Sequence, residues 1–262
     1  MKKETKQKIH RRFGRTPTKG ELEAEAKRFL KTLALDKEKI LEEGVLFVDY
    51  ADLEKFSEDL ARRLLNFPEE ILDILEFALD KEVKGSRARI RFRGMPESII
   101  IPIENLRAKH LKKLVAIKGY LVQASDVRPQ VATAKFECPN CGTIISVLQV
   151  EKIFREPSKC SCGRTGKFRL ISKEMVDCQR LVVSEGRAME KVEDGLIVPK
   201  KPSLSIFIQE DLTDPENKIL KHIGRKIKAF GILKEVPVHR DDGSISTRFD
   251  IALEGHNLDF KK

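Results

Sequence analysis

Between residues 21 and 83 apolar positions recur three and four apart, the spacing of amphipathic helices. Ser57 offers a side-chain cap to a helix whose inner face is Leu60, Ala61, Leu64 and Leu65. Pro68 suits the first turn of the next helix, with Glu69 and Glu70 near its positive end. Ile71, Leu72, Ile74, Leu75, Ala78 and Leu79 continue its stripe. An earlier helix is expected over roughly 21–43, and the short apolar run Val45–Val48, placed after Gly44, reads as extended.

After Gly85 the period changes to two. Ile90 and Phe92 alternate with Arg87, Arg89, Arg91 and Arg93, predicting a strand with one apolar and one basic face. Further strands are expected at 98–103, 114–122, 131–136, 203–209 and 226–235. Two of them share a pattern in which Gly119 or Gly231 interrupts an apolar run, a sign of a bulge or sharp bend. Asp242-Gly243, between Val236/Val238 and Ile245/Phe249/Ile251, predicts a hairpin turn. Many short strands in a basic body suggest a small Greek-key barrel of OB type.

Charge adds a polarity to this layout. Residues 1–20 hold eight Lys/Arg and one acid, residues 36–82 hold fifteen acids and six bases, and the whole chain carries +10. Residues 83–262 are therefore strongly basic, which suggests a polyanion partner. No apolar run approaches the roughly 20 residues of a membrane helix. The basic N-terminus lacks the apolar core of a signal peptide. Five cysteines would leave one unpaired in a disulfide framework, so a reducing, intracellular setting is expected.

Four of those cysteines form a constellation. Cys138-Pro-Asn-Cys141-Gly is followed, after eighteen intervening residues, by Cys160-Ser-Cys162-Gly. Thiolates so spaced on tight turns can meet one tetrahedral ion, and Gly142 and Gly163 free backbone amides to face sulfur. One structural Zn²⁺ per chain is expected, with all four coordination positions filled by protein. The second pair has one intervening residue where two are usual, a tighter turn. Cys178 reads as a buried core thiol, and as the reserve ligand should the short pair fail to close the site. No phosphate loop, His-Glu-x-x-His or Gly-x-Ser-x-Gly motif is present, and the five histidines are scattered. The chain is not expected to be an enzyme.

The expected fold class is α+β: a helical N-terminal domain, then an OB-fold β-barrel carrying an inserted four-cysteine zinc ribbon. The expected boundaries are 1–20 for a flexible basic tail, 21–86 for the helical domain, 87–136 for the first part of the OB-fold, 137–174 for the ribbon and 175–262 for the second part, with a basic hairpin.

In order and spacing, Val48–Phe56, Ile90–Gly94, Leu114–Gly119, Val127–Pro129, Ala134–Cys138, Phe168–Leu170 and Glu210–Asp214 resemble the N-terminal region of archaeal minichromosome maintenance (MCM) replicative helicases. The resemblance covers roughly residues 25–260. It implies a non-catalytic DNA-binding and ring-assembly domain acting in replication initiation and unwinding, without the ATPase motor. It implies a hexamer or double hexamer around single-stranded or double-stranded DNA, no membrane partner, and a cytoplasmic, nucleoid location. It also gives the zinc module a role in contact between rings. The basic hairpin of that family would here be 236–249, with His239, Arg240, Arg248 and the adjacent Lys234. Arg128, Arg180, Lys200 and Lys201 complete the candidate DNA contacts. Where the family often carries two DNA-contacting arginines, this chain has Gln123 and Val182. An RNA-binding zinc-ribbon/OB module of the translation or tRNA machinery is the alternative reading.

Overall fold

The computed structural model describes residues 17–84, 88–148, 154, 156–157, 159–186, 189–191, 197–199, 202–213, 218–239 and 245–260. Its contacts divide the chain into two units. One holds residues up to Gly119 with Lys226–Lys234 and Leu253–Lys262; the other holds Tyr120–Arg225 and Glu235–Ala252.

The first unit opens with α1 (Lys19–Thr32), α2 (Lys37–Glu43), β1 (Val45–Asp49), α3 (Tyr50–Phe56), α4 (Glu58–Asn66) and α5 (Pro68–Glu82). The helix expected over 21–43 is thus two helices. Leu33 is extended, and the Asp36 carboxylate accepts from the Lys39 amide, so a new cap starts before the apolar period has run out. Thr18 and Glu21 form a reciprocal capping box that fixes the start of α1 at Lys19. Ser57 caps α4 through the Leu60 amide, and Pro68 stands at the start of α5, both as the sequence predicts.

The helices bury Phe29, Leu30, Leu53, Leu64, Leu75 and Leu79 in one core with Ile90, Phe92 and Phe230. β2 (Arg89–Arg93) lies parallel to β1, Val45 opposite Arg89 through Asp49 opposite Arg93. In a parallel strand each residue's amide and carbonyl point to the same side, so only alternate residues of β2 can bond to β1. The amides of Ile90 and Phe92 face away, and side chains take them: Glu76 Oε1 accepts from Ile90 at 3.1 Å and His256 Nε2 from Phe92 at 2.9 Å. Asn257 Nδ2 donates to the Phe92 carbonyl at 3.0 Å. The expected basic face of β2 is partly covered: Arg91 is buried, and Arg93 lies over the Phe47 ring.

The strand expected at 98–103 does not form. Two 3₁₀ turns, Glu97–Ile99 and Ile103–Asn105, flank a single bridge from Ile100 to Ala116. Pro96 and Pro102 cannot donate to a ladder and preset the turn angle, which explains the break.

The remaining strands are β3 (Leu114–Ala124), β4 (Arg128–Glu137), β5 (Ile144–Leu148), β6 (Arg169–Ser184), the short pair β7 (Met189–Lys191) and β8 (Ile197–Pro199), β9 (Ser203–Gln209), β10 (Lys226–His239) and β11 (Ile245–Phe260). Their hydrogen-bonded order is β3-β10-β11-β9-β6-β4-β5, and β3 pairs again with β6. Five strands therefore complete a closed circuit, which removes the exposed edges an open sheet would leave. In the second unit Leu121 faces Val183, which faces Leu204; Leu181 faces Ile206. All five side chains are buried. β9 alternates along its length, Leu204, Ile206 and Ile208 inward.

The two glycines singled out by the sequence act differently. A bulge lies between Leu121 and Gln123, shortly after Gly119. Gly231 marks a close backbone approach: a Cβ there would sit 2.2 Å from the Glu254 carbonyl oxygen. The Asp242-Gly243 turn lies outside the described residues.

Candidate metal centre and basic faces

The cysteine segment is a continuation of strands β4 and β6 beyond the second unit's barrel residues. β4 runs antiparallel to both β5 and β6. Ala134, Phe136 and Phe168 form a small core with Cys138 and Cys160, and Val131, Ile145 and Val147 pack against it. Cys138 ends up at the close of β4, where the chain must turn into β5.

The first turn is closed by Gly142 donating to the Cys138 carbonyl at 2.8 Å, and Cys138 donates to the Thr143 carbonyl at 2.9 Å. The second repeats this with one residue less: Gly163 donates to the Cys160 carbonyl at 3.0 Å, and Cys160 to the Arg164 carbonyl at 2.9 Å. A five-residue turn in one pair becomes a four-residue turn in the other. Left-handed Gly142 (φ 68) and Gly163 (φ 91) permit both. A bridge from Lys159 to Thr165 ties off the second turn. The short Cys160-Ser-Cys162 pair therefore closes on backbone geometry alone.

All four sulfurs lie within 4.8 Å of one another. Across the two turns Cys138 Sγ is 3.7 Å from Cys162 Sγ, and Cys141 Sγ is 3.6 Å from Cys160 Sγ. A tetrahedral ion with metal–sulfur bonds of about 2.3 Å sets its ligands about 3.8 Å apart. The thiols are thus spaced as tetrahedral ligands, and the cluster can hold one metal ion such as zinc. Cys138 and Cys160 are buried, Cys141 and Cys162 exposed.

Polar neighbours tune the sulfurs. The Thr143 side chain and then its backbone lower the Cys141 thiol to about 6. The Cys162 amide is the main influence drawing the Cys160 thiol down. Burial pushes the Cys138 thiol up to about 11, so this ligand depends most on a cation to ionise. Thr143, with Oγ1 3.1 Å from Cys141 Sγ, and Asn140, with Nδ2 3.8 Å from Cys162 Sγ, are partners the cysteine spacing alone does not reveal. Cys178 stands apart in β6 opposite Arg128 and Gln209, buried, its thiol raised by that burial. It is a core residue, as the sequence predicts.

The candidate DNA residues divide by position. Arg128 and Arg180 lie in the second unit, Arg128 opposite Cys178 and Arg180 two residues further along β6. Arg128 is largely exposed, and among the described residues its ion pair is a loose 3.8 Å approach to the exposed Asp126. Arg180 is exposed and propped by Ser205 Oγ, which accepts from Nε at 3.2 Å and from Nη2 at 2.9 Å. Its backbone amide donates to Ser125 Oγ. Gln123 and Val182 are direct cross-strand partners, and Val182 is buried. Lys234, in the first unit, is held by Glu69 and, at 3.0 Å, by Glu254. His239 and Arg248 lie on β10 and β11, which are neighbours in the sheet. Lys200, Lys201 and Arg240 lie outside the described residues.

Comparison with known proteins identifies the matching families. The profile of the MCM N-terminal domain matches residues 24–113, and that of the MCM OB domain matches residues 102–237. A minichromosome maintenance protein of Saccharolobus solfataricus is 28% identical over 234 residues, 82% of this chain and 32% of that protein. The DNA replication licensing factor mcm4 of Schizosaccharomyces pombe is 25% identical over 228 residues, 78% of this chain and 24% of its own length. The chain thus spans about a third or less of these relatives. The crystal structure of the N-terminal domain of an archaeal MCM superposes with a TM-score of 0.69 at 20% identity, covering 94% of this chain and all of that one. At that identity the likeness establishes the fold: a helical part followed by an OB domain with the four-cysteine cluster inserted. Among the described residues no helix is long and apolar enough to cross a membrane.

Proposed function

Because the chain belongs to the MCM family, we propose that it is the DNA-binding and ring-assembly portion of a replicative helicase, itself non-catalytic. The observation that carries this reading is the pairing of family membership with a long basic hairpin. β10 and β11 are neighbouring strands of fourteen and sixteen residues, joined by only five, and their joined end carries His239, Arg240 and Arg248. Cations gathered on either side of so short a connection suit contact with phosphates.

The second unit supplies another basic element. Arg180 is exposed and pre-oriented by Ser205, so less side-chain entropy is lost when a phosphate binds it. Arg128, one strand over, has no ion-pair partner closer than 3.8 Å among the described residues. Arg180 lies two residues along β6 from Val182, which pairs with Gln123, the two positions where the resemblance to the family leads one to expect arginines. We read the DNA-facing charge as shifted two residues along β6, from Val182 to Arg180. Lys234 is the weakest member of the set, since two carboxylates already hold it.

The metal is proposed as one zinc ion on Cys138, Cys141, Cys160 and Cys162. Its chemistry there is structural: four thiolates fill the tetrahedron and leave no place for a reactive water. Assembly into a hexamer or double hexamer, and a site of action on DNA, follow from the same reading. Family membership weighs against the RNA-handling alternative.

The test is solution mass measurement together with binding to single-stranded DNA. Rings of six or twelve chains and an affinity that falls steeply with salt are expected. Arg240→Glu with Arg248→Glu should weaken binding strongly; unchanged affinity would remove the hairpin from the mechanism.

A further inference from the structure

On α5, Glu70, Asp73, Ile74 and Phe77 occupy positions i, i+3, i+4 and i+7, and so share one face; on α1, Lys19 and Glu23 are four apart. These six residues line a single recess of ≈ 390 Å³ between the two helices of the first unit. Its floor is the buried Ile74, and its rim includes Phe77, which is 49% exposed. Lys81 Nζ lies 3.9 Å from the Phe77 ring centroid, so this ring already accepts a cation.

The rest of the rim is acidic. Glu23, Glu70 and Asp73 have no ion pair among the described residues. Burial, then repulsion from Glu69, raises the Asp73 carboxyl above its ordinary value, while Arg89 and Lys19 only partly offset this. The recess therefore carries more negative charge than its own cations balance, over an apolar floor.

A complementary segment adjoins it in the sequence. Residues 1–16 carry seven Lys/Arg against the single acid Glu4, and Ile9 and Phe13 stand four apart among them. We propose that the recess between α1 and α5 is the docking site for residues 1–16 of the same chain. Phe13 or Ile9 inserts over Ile74 and beside Phe77, and the flanking cations meet Glu23, Glu70 and Asp73. Phe13 precedes the lining residue Lys19 by six positions, a reach of about 20 Å. So short a tether gives an effective concentration on the order of millimolar, and weak contacts suffice. Exposed ion pairs each contribute little against solvent and salt, so the apolar anchor decides the geometry. Docking would withdraw seven positive charges from solution and place them on the acidic helical part, away from any polyanion.

The test is zero-length carbodiimide coupling on the full chain, which joins lysine amines to carboxylates in contact, with the sites read by mass spectrometry. Lys2, Lys3, Lys6 and Lys8 should couple mainly to Glu23, Glu70 and Asp73 rather than to the other acids of residues 36–82. Mixing isotopically heavy and light chains should show the links to lie within one chain. Ile9→Ser with Phe13→Ser keeps every charge and should cut these links about fivefold, the loss expected when one apolar anchor of about 1 kcal/mol is removed. Phe77→Ser should do the same from the other side. Salt near 1 M, where the screening length is about 3 Å, should weaken the charged part further. Links scattered over the acidic helices, links between chains, or no response to the serine variants would each overturn the proposal. None of these readouts involves DNA or ring formation, so they stand or fall apart from the proposed function.

Discussion

The Nε2 atom of His256 accepts a hydrogen bond of 2.9 Å from the backbone amide of Phe92, and the two rings lie 6.1 Å apart, nearly parallel. The imidazole is buried and must be neutral to accept. Burial first, and the nearby Arg91 second, lower it from 6.5 to about 3. An unfolded histidine titrates near 6.5. The unfolded chain thus binds more protons wherever the pH lies between about 3 and 6.5, and stability falls as the pH falls through that window. Above it the histidine contributes no slope.

Between pH 7 and pH 5 this one residue should cost about 2 kcal/mol of stability. His256→Gln keeps an acceptor without a titrating group. Chemical denaturation at the two pH values should show a loss smaller by about that amount in the variant. An identical loss in both proteins would place the acid sensitivity elsewhere.

Gly231→Ala should be far more damaging than Gly224→Ala. A methyl at position 231 would meet the Glu254 carbonyl oxygen at 2.2 Å and Leu253 Cγ at 2.8 Å, so backbone must move. That overpacking should cost about 3 kcal/mol. Gly224 has open space around it and only its positive φ of 84° to lose, a cost of about 1 kcal/mol. Thermal melts of the two variants should separate clearly.

Metal content should distinguish the cysteines. Cys138→Ser or Cys162→Ser should lower bound zinc to well under one per chain and loosen the small core around Phe136 and Phe168. Cys178→Ser should keep its full zinc while losing about 1–2 kcal/mol of stability, because a hydroxyl replaces a thiol in a buried strand. Elemental analysis beside melting gives both readings. Zinc lost from Cys178→Ser would make it a ligand.

The cations should sort by their present partners. Arg128→Glu with Arg180→Glu should weaken single-stranded DNA binding and flatten its salt dependence by about two phosphate contacts. Lys234→Met should leave that slope alone and destabilise the fold by about 1 kcal/mol, since Glu69 and Glu254 would then repel each other unneutralised. Burial lowers the Lys234 ammonium and the two carboxylates together more than restore it, for a net rise. This stabilising pair is therefore present at neutral pH and is lost only on strong alkalinisation.

Local chemistry was legible wherever one residue acts on its close neighbours. Ser57 and Pro68 announce the starts of α4 and α5 because capping and proline effects span three or four residues. The same logic, applied to Asp36, would have split the helix expected over 21–43. Prolines 96 and 102 similarly stop a strand that apolar content alone suggests. The cysteine pairs were readable because a chelating turn is local, down to the shorter second loop that Gly163 closes.

What the sequence by itself determined, then, is what short-range stereochemistry and charge can decide: which segments are helices or strands, where the metal-binding turns lie, and how charge divides along the chain. The tertiary structure alone decided which distant residues meet. It showed that His256 and Asn257 close the free side of β2, that Gly231 makes room for a crossing carbonyl, and that Val182 faces Gln123 while Arg180 rests on Ser205. Lys234 shows why: its neighbours in sequence mark it as a hairpin cation, but carboxylates 165 and 20 positions away hold its charge. Such pairings depend on how the strands stack in space, and spacing along the chain carries no record of that.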